Sequence, residues 1–168
     1  MAASSSLSAI SKSIEDRTRE FVSGYETAGK MKNAKYVSIH LAPDCKRFLA
    51  SRAFLEAVDL APGAPHSNAE YQVKYEKQMS IWAVKSTKIF NLTIDPERKR
   101  AAARTVGYGQ FIDGEKHEME FAYFLDFNDD GTHITKIVQY VDPTESLLFR
   151  TKAKELLEKM AAEKATEN

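Results

Sequence analysis

Apolar residues recur every three or four positions in the first part of the chain, a spacing typical of an amphipathic helix. The repeat predicts a first helix that ends near Gly29 and contains Leu7, Ile10, Ile14, Phe21 and Tyr25. A short second helix is expected over residues 32–38, followed by a turn at residues 40–44, because Pro43 disfavours helical geometry at the residue before it. Residues 48–60 are rich in apolar side chains but show no clear period.

A further helix is predicted from about residue 68. Ser67 and Glu70 have the spacing of a capping box, in which each side chain bonds the backbone amide of the other residue. The positions that follow at helical spacing are mostly aromatic: Tyr71, Tyr75, Met79 and Trp82. This stripe could face either the core or a ligand.

The period changes to two after Val84, which predicts antiparallel strands. Strands are expected over about residues 84–94, 100–111, 116–127 and 133–141, with hairpin turns between them. Asp142, Pro143 and Glu145 then suit the N-cap, first and third positions of a last helix. Helices followed by antiparallel strands predict an α+β domain, whose curved sheet leaves a cavity against the helices.

The length of the chain indicates the number of domains, and its charge balance argues against some classes of binding partner. The 168 residues fit one domain over residues 1–168, with flexible tails at 1–6 and 163–168. The 24 Lys and Arg residues balance the 24 Asp and Glu residues, which argues against nucleic acid and anionic membranes as partners. Cys45 is the single cysteine, and no apolar run approaches the roughly 18 residues of a membrane span. We therefore expect a cytoplasmic protein.

The sequence lacks the motifs of the common cofactor and metal sites. It has no glycine-rich phosphate loop and no HExxH motif. The four histidines do not have metal-ligand spacing: His40, His66, His117 and His133. We predict no cofactor and no metal.

Three short stretches, taken with the order of the elements, resemble a known superfamily. They are NAEY at residues 68–71, DG at 113–114 and KIVQYVD at 136–142. Over about residues 14–149 the chain resembles the SnoaL-like branch of the NTF2-like superfamily, and within it the small isomerases and cyclases of fungal meroterpenoid and indole-alkaloid pathways. The resemblance implies a cone-shaped α+β barrel with a curved antiparallel sheet packed on N-terminal helices, a C-terminal helix, a homodimer and a cofactor-free acid/base site inside the cone.

The resemblance extends to some site residues and not to others. The NAEY stretch places Tyr71 where the family's helix often lines the pocket. APDC at residues 42–45 resembles a family segment that an arginine commonly precedes, whereas Leu41 holds that place here, so a cationic group is expected to be missing. KHEMEF at residues 116–121 retains an acid, and Gln139 replaces another acid that relatives often have.

We identify His117, Tyr71 and Gln139 as the candidate catalytic residues. Alternation along the third strand directs His117 inward, where an imidazole with an unperturbed pKa of about 6.5 could act as general acid or base. The Tyr71 phenol could donate to a carbonyl oxygen, and the Gln139 amide could orient an oxygenated group. The alternatives are an idle histidine at the rim and plain core packing for the other two.

A second set of residues is predicted to contact the substrate: Trp82, Tyr75, Met119, Phe121, Tyr123, His40 and Leu41. His40 could pair with Asp44, although Asp44 capping a turn is the simpler interpretation. Glu120 and Arg104 are expected in pairings on the outer face of the sheet, and Asp142 is expected to cap the last helix.

These features predict a cofactor-independent isomerase or cyclase, or a dehydratase of the lyase class, that acts on an apolar, oxygenated polycyclic intermediate of secondary metabolism. A cavity of aromatics with one histidine and one amide favours a neutral substrate over an anionic one. The alternative is a non-catalytic module that binds a small hydrophobic molecule or serves as a dimeric adaptor.

Overall fold

The computed structural model describes residues 2–166, with side chains from residue 6 onward. The helices are α1 (Ala2–Met31), α2 (Arg52–Ala57), α3 (Asn68–Met79) and α4 (Pro143–Thr166), and a 3₁₀ helix covers Ala34–Ser38. The strands are β1 (Leu41–Ala50), β2 (Pro65–His66), β3 (Trp82–Asp95), β4 (Arg100–Phe111), β5 (Lys116–Phe127) and β6 (Ile134–Val141). The tails predicted at 1–6 and 163–168 lie partly outside the described residues, and their flexibility stays a prediction.

All six strands form one sheet in the order β2-β1-β6-β5-β4-β3. Strands β3 to β6 are the predicted antiparallel meander. The α+β class is confirmed, with a curved sheet against the N-terminal helices and a helix at the C-terminal end. One pair departs from the antiparallel pattern, because β1 runs parallel to β6.

The prediction of a turn over residues 40–44 is wrong, because β1 begins at Leu41 and only His40 has the positive φ, 60°, of a turn residue. Pro43 is accommodated in β1 because the pairing with β6 shifts register between Leu41 and Lys46, so no ladder hydrogen bond is required of it. The same irregularity explains why the sequence pattern did not predict β1. Buried positions fall at Ala42 and then at Cys45, so the alternation changes phase within the strand.

Local capping explains where α3 and α4 begin. Both hydrogen bonds of the predicted capping box are present, from the Glu70 amide to Ser67 Oγ and from the Ser67 amide to Glu70 Oε2. The Asp142 carboxylate accepts from the Glu145 amide at 2.9 Å, as predicted for the start of α4. These caps fix the start of two of the helices that border the cavity.

Alternation along β5 separates the core from the outer face of the sheet. Met119, Tyr123 and Leu125 are buried on the concave side, where the Tyr123 ring packs edge-on against Phe21 of α1 with ring centroids 5.3 Å apart. On the convex side, the Glu120 carboxylate accepts from Arg104 of β4, the cross-strand pairing expected from sequence. The concave side is therefore the place for a site.

Candidate active site

An apolar cavity of about 390 Å³ lies between the concave face of the sheet and the four helices. Its volume is in the range of small-molecule sites. Aromatic side chains make up a third of the lining residues: Tyr25, Phe54, Tyr71, Tyr75, Trp82, Phe121, Tyr123 and Phe149. Helix α4 contributes Ser146 and Phe149, whose ring lies edge-on to Trp82 at 5.2 Å.

The structure brings together most of the residues predicted from sequence. Those that line the cavity are Tyr71, Gln139, Tyr75, Trp82, Met119, Phe121 and Tyr123. His117, His40 and Leu41 are not among the lining residues. The location expected for these three residues was therefore wrong.

His117 is on the predicted face of β5, but helix α4 fills the space in front of it. Its ring packs against Phe111 and Phe149, with centroids 5.9 and 5.6 Å away, and Nε2 lies 3.7 Å from Glu145 Oε2. This position secures α4 to the sheet and keeps the imidazole away from the cavity.

His40 pairs with helix α1 instead of Asp44. Its Nε2 lies 2.7 Å from Glu20 Oε2, and Arg17 Nη1 lies 3.1 Å from the imidazole nitrogens. Burial, followed by the Arg17 charge, lowers the pKa of His40 below 6.5. The half-buried Leu41 packs against the core beside this cluster.

Arg47 of β1 supplies a buried cation that the sequence analysis missed. Only 3% of the residue is exposed, and its guanidinium carbon lies 3.6 Å from the centroid of the Tyr71 ring. Nη1 donates to Tyr25 Oη at 2.6 Å and to Gln139 Oε1 at 2.8 Å. The expectation that the site lacks a cationic group is therefore wrong, because β1 brings Arg47 behind three cavity-lining side chains.

The two phenols beside Arg47 are also bonded to each other. Tyr25 Oη and Tyr71 Oη are 3.2 Å apart, and either oxygen could donate. Arg47 is always a donor, so Tyr25 Oη accepts from it. One of the two phenolic hydrogens is used between the tyrosines, and the other has a partner within the protein, Gln139 beside Tyr71 or Tyr123 beside Tyr25. Both phenols line the cavity, so the network places their hydroxyl groups in its wall.

The phenols of the network remain protonated at neutral pH. Burial raises the pKa of Tyr25 and of Tyr71 above the ordinary 10.0, although the Arg47 charge opposes this shift. Tyr75 and Tyr123 are shifted in the same direction, again mainly by burial. The network thus holds a cation next to neutral phenols.

Further donors in the wall have no hydrogen-bond partner among the described residues. They are Tyr75 Oη, Trp82 Nε1 and Ser146 Oγ, and Arg47 Nη2 behind the wall is likewise unpartnered. Because a buried polar group without a partner is destabilising, such groups are common where a ligand supplies the partner. A molecule with several acceptor oxygens would satisfy them.

At the rim, His66 and Lys74 lie side by side, with Lys74 Nζ 3.4 Å from His66 Nδ1. Burial, and then the Lys74 charge, lowers the pKa of His66 below 6.5, so the imidazole is neutral at neutral pH. Arg150 of α4, which is also exposed, donates to the Ala57 carbonyl oxygen. Within residues 2–166, no Asp or Glu lines the cavity.

Two kinds of feature are absent from the described residues. None of these helices combines the length and apolar character needed to cross a membrane. No cluster of three or more His, Cys, Asp or Glu side chains suited to a metal ion was found over the same residues.

Comparison with solved structures defines the class of fold. The chain is similar to the BvnE pinacolase from Penicillium brevicompactum, with 14% identity and a TM-score of 0.69. The match covers 88% of this chain and 94% of the pinacolase. It is similar to PrhC from Penicillium brasilianum at 18% identity and a TM-score of 0.66, with 93% of each chain covered. An NTF2-like protein from Burkholderia pseudomallei matches at 13% identity and a TM-score of 0.54, over 82% of this chain and 96% of the other.

The chain therefore has the NTF2-like fold, as the resemblance of its short motifs implied. No family model and no curated protein sequence matches it. The cavity described above is the feature from which its function must be argued.

Proposed function

We propose that the protein is a cofactor-independent isomerase or cyclase, or a dehydratase, for an apolar, oxygenated polycyclic intermediate of secondary metabolism. The proposal depends on one observation. The Tyr25–Tyr71 pair lines a mainly apolar cavity, and the Arg47 cation lies behind the pair and donates to Tyr25. An apolar wall suits a ring system, and the donors of the wall suit its oxygens.

The proposed chemistry uses a phenolic hydrogen of the pair, which is donated to a substrate oxygen in place of its acceptor within the protein. A substrate carbonyl oxygen that accepts this hydrogen gains negative charge as a neighbouring bond shifts, for example on ring closure. The phenol then forms a stronger hydrogen bond, and Arg47 stabilises the charge from behind with little reorganisation. Gln139, whose Oε1 is held by Arg47, is left with its amide hydrogens to orient a second oxygen.

A neutral imidazole lies at the cavity rim. One ring nitrogen of His66 accepts from Lys74, and the other carries a hydrogen that can orient a substrate oxygen. Sequence analysis gave His66 no role, because a histidine after a Pro/Gly-rich loop carries no signal of its own. His117 is left out of the proposal, since it does not line the cavity.

The comparisons support an enzymatic role at a coarse level. BvnE is a pinacolase with the same fold, so this fold can carry the active site of an enzyme. The alternative of a non-catalytic binding module is favoured by one observation: no carboxylate lines the cavity in the described part of the chain.

We also propose that two copies pair through the convex face of the sheet. Phe124 and Tyr140 lie there with 50% and 46% of their surfaces exposed, and their rings pack edge-on at 5.8 Å. The Arg104–Glu120 pair and the half-exposed Phe90 continue this face. A cytoplasmic location and the absence of a nucleic-acid partner stay predictions.

The proposed function is tested by deleting the gene in its native host and comparing metabolites by mass spectrometry. We expect an intermediate to accumulate that purified protein converts, without cofactor, to a product of equal mass or of that mass less one water. An unchanged metabolite profile, together with no conversion in vitro, would favour the binding module.

A further inference from the structure

Apart from the tyrosines, the ionisable side chains at the cavity are all basic, although the protein as a whole is electrically balanced. The chain has 24 basic and 24 acidic residues, so a cavity wall of average composition would contain side chains of both charges. The basic groups are Lys74, Arg150 and His66 in the lining and Arg47 behind it, and no carboxylate lines the cavity within the described residues. Charges of one sign around an apolar cleft focus the field on it and attract an anion.

The rim cations have no ion pair among the described residues. Lys74 and Arg150 form no salt bridge within residues 2–166, although the charge of the exposed Glu70 carboxylate acts on Lys74 and His66, and Arg150 donates to the Ala57 carbonyl oxygen. Arg47 contacts neutral partners alone, because burial keeps the phenols of Tyr25 and Tyr71 protonated. The positive charge of the cavity is therefore available to a ligand.

Lys74 and His66 can bind a carboxylate together. Lys74 Nζ lies 3.4 Å from Nδ1 and 3.5 Å from Nε2 of His66, and one of these nitrogens accepts one of the three ammonium hydrogens, so two remain. With one imidazole nitrogen occupied as the acceptor from Lys74, the other nitrogen of neutral His66 carries a hydrogen and can donate. A carboxylate between them would accept charge-assisted hydrogen bonds from Lys74 and a neutral one from His66.

We propose that the substrate is an organic anion, an apolar ring system with a carboxylate that binds Lys74 and His66 at the rim while a neutral oxygen reaches the Tyr25–Tyr71 pair. The inference rests on the proposed function, because it names the substrate class of the same cavity. It replaces the sequence-based expectation of a neutral substrate, which assumed an interior without cations.

The test compares a tricyclic resin acid, dehydroabietic acid, with its uncharged methyl ester. The chain has a single tryptophan, Trp82, in the cavity wall, so its fluorescence reports binding of either probe. Near neutral pH the acid is ionised. We expect the acid to bind about threefold to tenfold more tightly than the ester, and this preference to shrink as salt is added.

Lys74→Met should remove most of the preference for the acid while leaving ester affinity unchanged. Lys77→Met is the matched control, because Lys77 is exposed on the same helix and does not line the cavity. Equal affinities for acid and ester, no binding of either probe, or a preference that survives Lys74→Met would overturn the proposal.

The binding assay needs no turnover, so the two proposals can fail separately. A protein that prefers the acid but leaves the metabolites of the host unchanged contradicts only the proposed enzymatic function. A protein that converts an uncharged intermediate and binds both probes equally contradicts only the anionic substrate.

Discussion

Gly109 of β4 allows the Trp82 indole to form part of the cavity wall, and its replacement by alanine should deform that wall. A Cβ at residue 109 would lie 2.5 Å from Trp82 Nε1 and closer still to two carbons of the same ring. Trp82 has only 4% of its surface exposed and packs against Phe149, so the indole can move only by disrupting this contact or by entering the cavity. The clash must shift the indole or the strand.

The expected cost of Gly109→Ala can be scaled from overpacked cores, where added methyl groups destabilise by about 1–3 kcal/mol. Because the Cβ would overlap a rigid buried ring, we expect about 3 kcal/mol, the upper end of that range. At roughly 2–4 °C per kcal/mol for a chain of this size, Tm should fall by about 6–12 °C. Trp82 fluorescence should change in the folded state as well.

Gly107→Ala is the matched control, because Gly107 lies two residues earlier on the same strand and also lines the cavity. There the new Cβ would meet only the Met119 carbonyl oxygen, at 3.9 Å, which is ordinary contact. Its stability should be unchanged or higher by up to about 1 kcal/mol, since alanine restricts the unfolded chain. Equal Tm values for the two variants, by thermal denaturation followed by circular dichroism, would refute the packing argument.

Three further results are expected. His117→Phe should lower Tm only slightly and leave turnover intact, because the ring packs against Phe111 and Phe149 outside the cavity lining; loss of turnover with an unchanged Tm would contradict this placement. Phe124→Asp should convert a dimer to a monomer in sedimentation analysis, whereas Lys77→Asp on the exposed side of α3, away from the convex face, should not; a wild-type monomer would exclude the proposed pairing. Burial raises the pKa of the Cys45 thiol from 9.0 to about 11, so the free energy of unfolding should fall as pH rises between these values, and a thiol reagent should modify Cys45 near neutral pH only on unfolding.

The sequence predicted the structural features that depend on residues close together in the chain. The capping box at Ser67, the Asp142 cap and the alternation along β5 each depend on residues a few positions apart, and all three are present in the structure. The aromatic stripe of α3 also identified Tyr71 and Tyr75 as wall residues. Local patterns were sufficient for these features because neighbouring residues alone produce them.

The residues that the sequence analysis missed depend on long-range pairing. Strand β1 is paired with β6, about ninety positions later, as in the Arg47–Ile137 register. Its register shift breaks the alternation, so Arg47 shows no pattern that marks it as buried. His117 illustrates the opposite error, because alternation gives the correct face but not that α4 covers it. Both outcomes are set by tertiary packing.

The central claim is that the Arg47-backed phenol pair stabilises charge on a substrate oxygen. The most direct test is the turnover of the accumulated intermediate by Tyr71→Phe, compared with Tyr108→Phe, whose hydroxyl lies outside the cavity lining. The account predicts that kcat falls about a hundredfold in Tyr71→Phe, as for loss of one oxyanion donor, and stays near wild type in Tyr108→Phe. Equal kcat values for Tyr71→Phe and the wild type would contradict the claim.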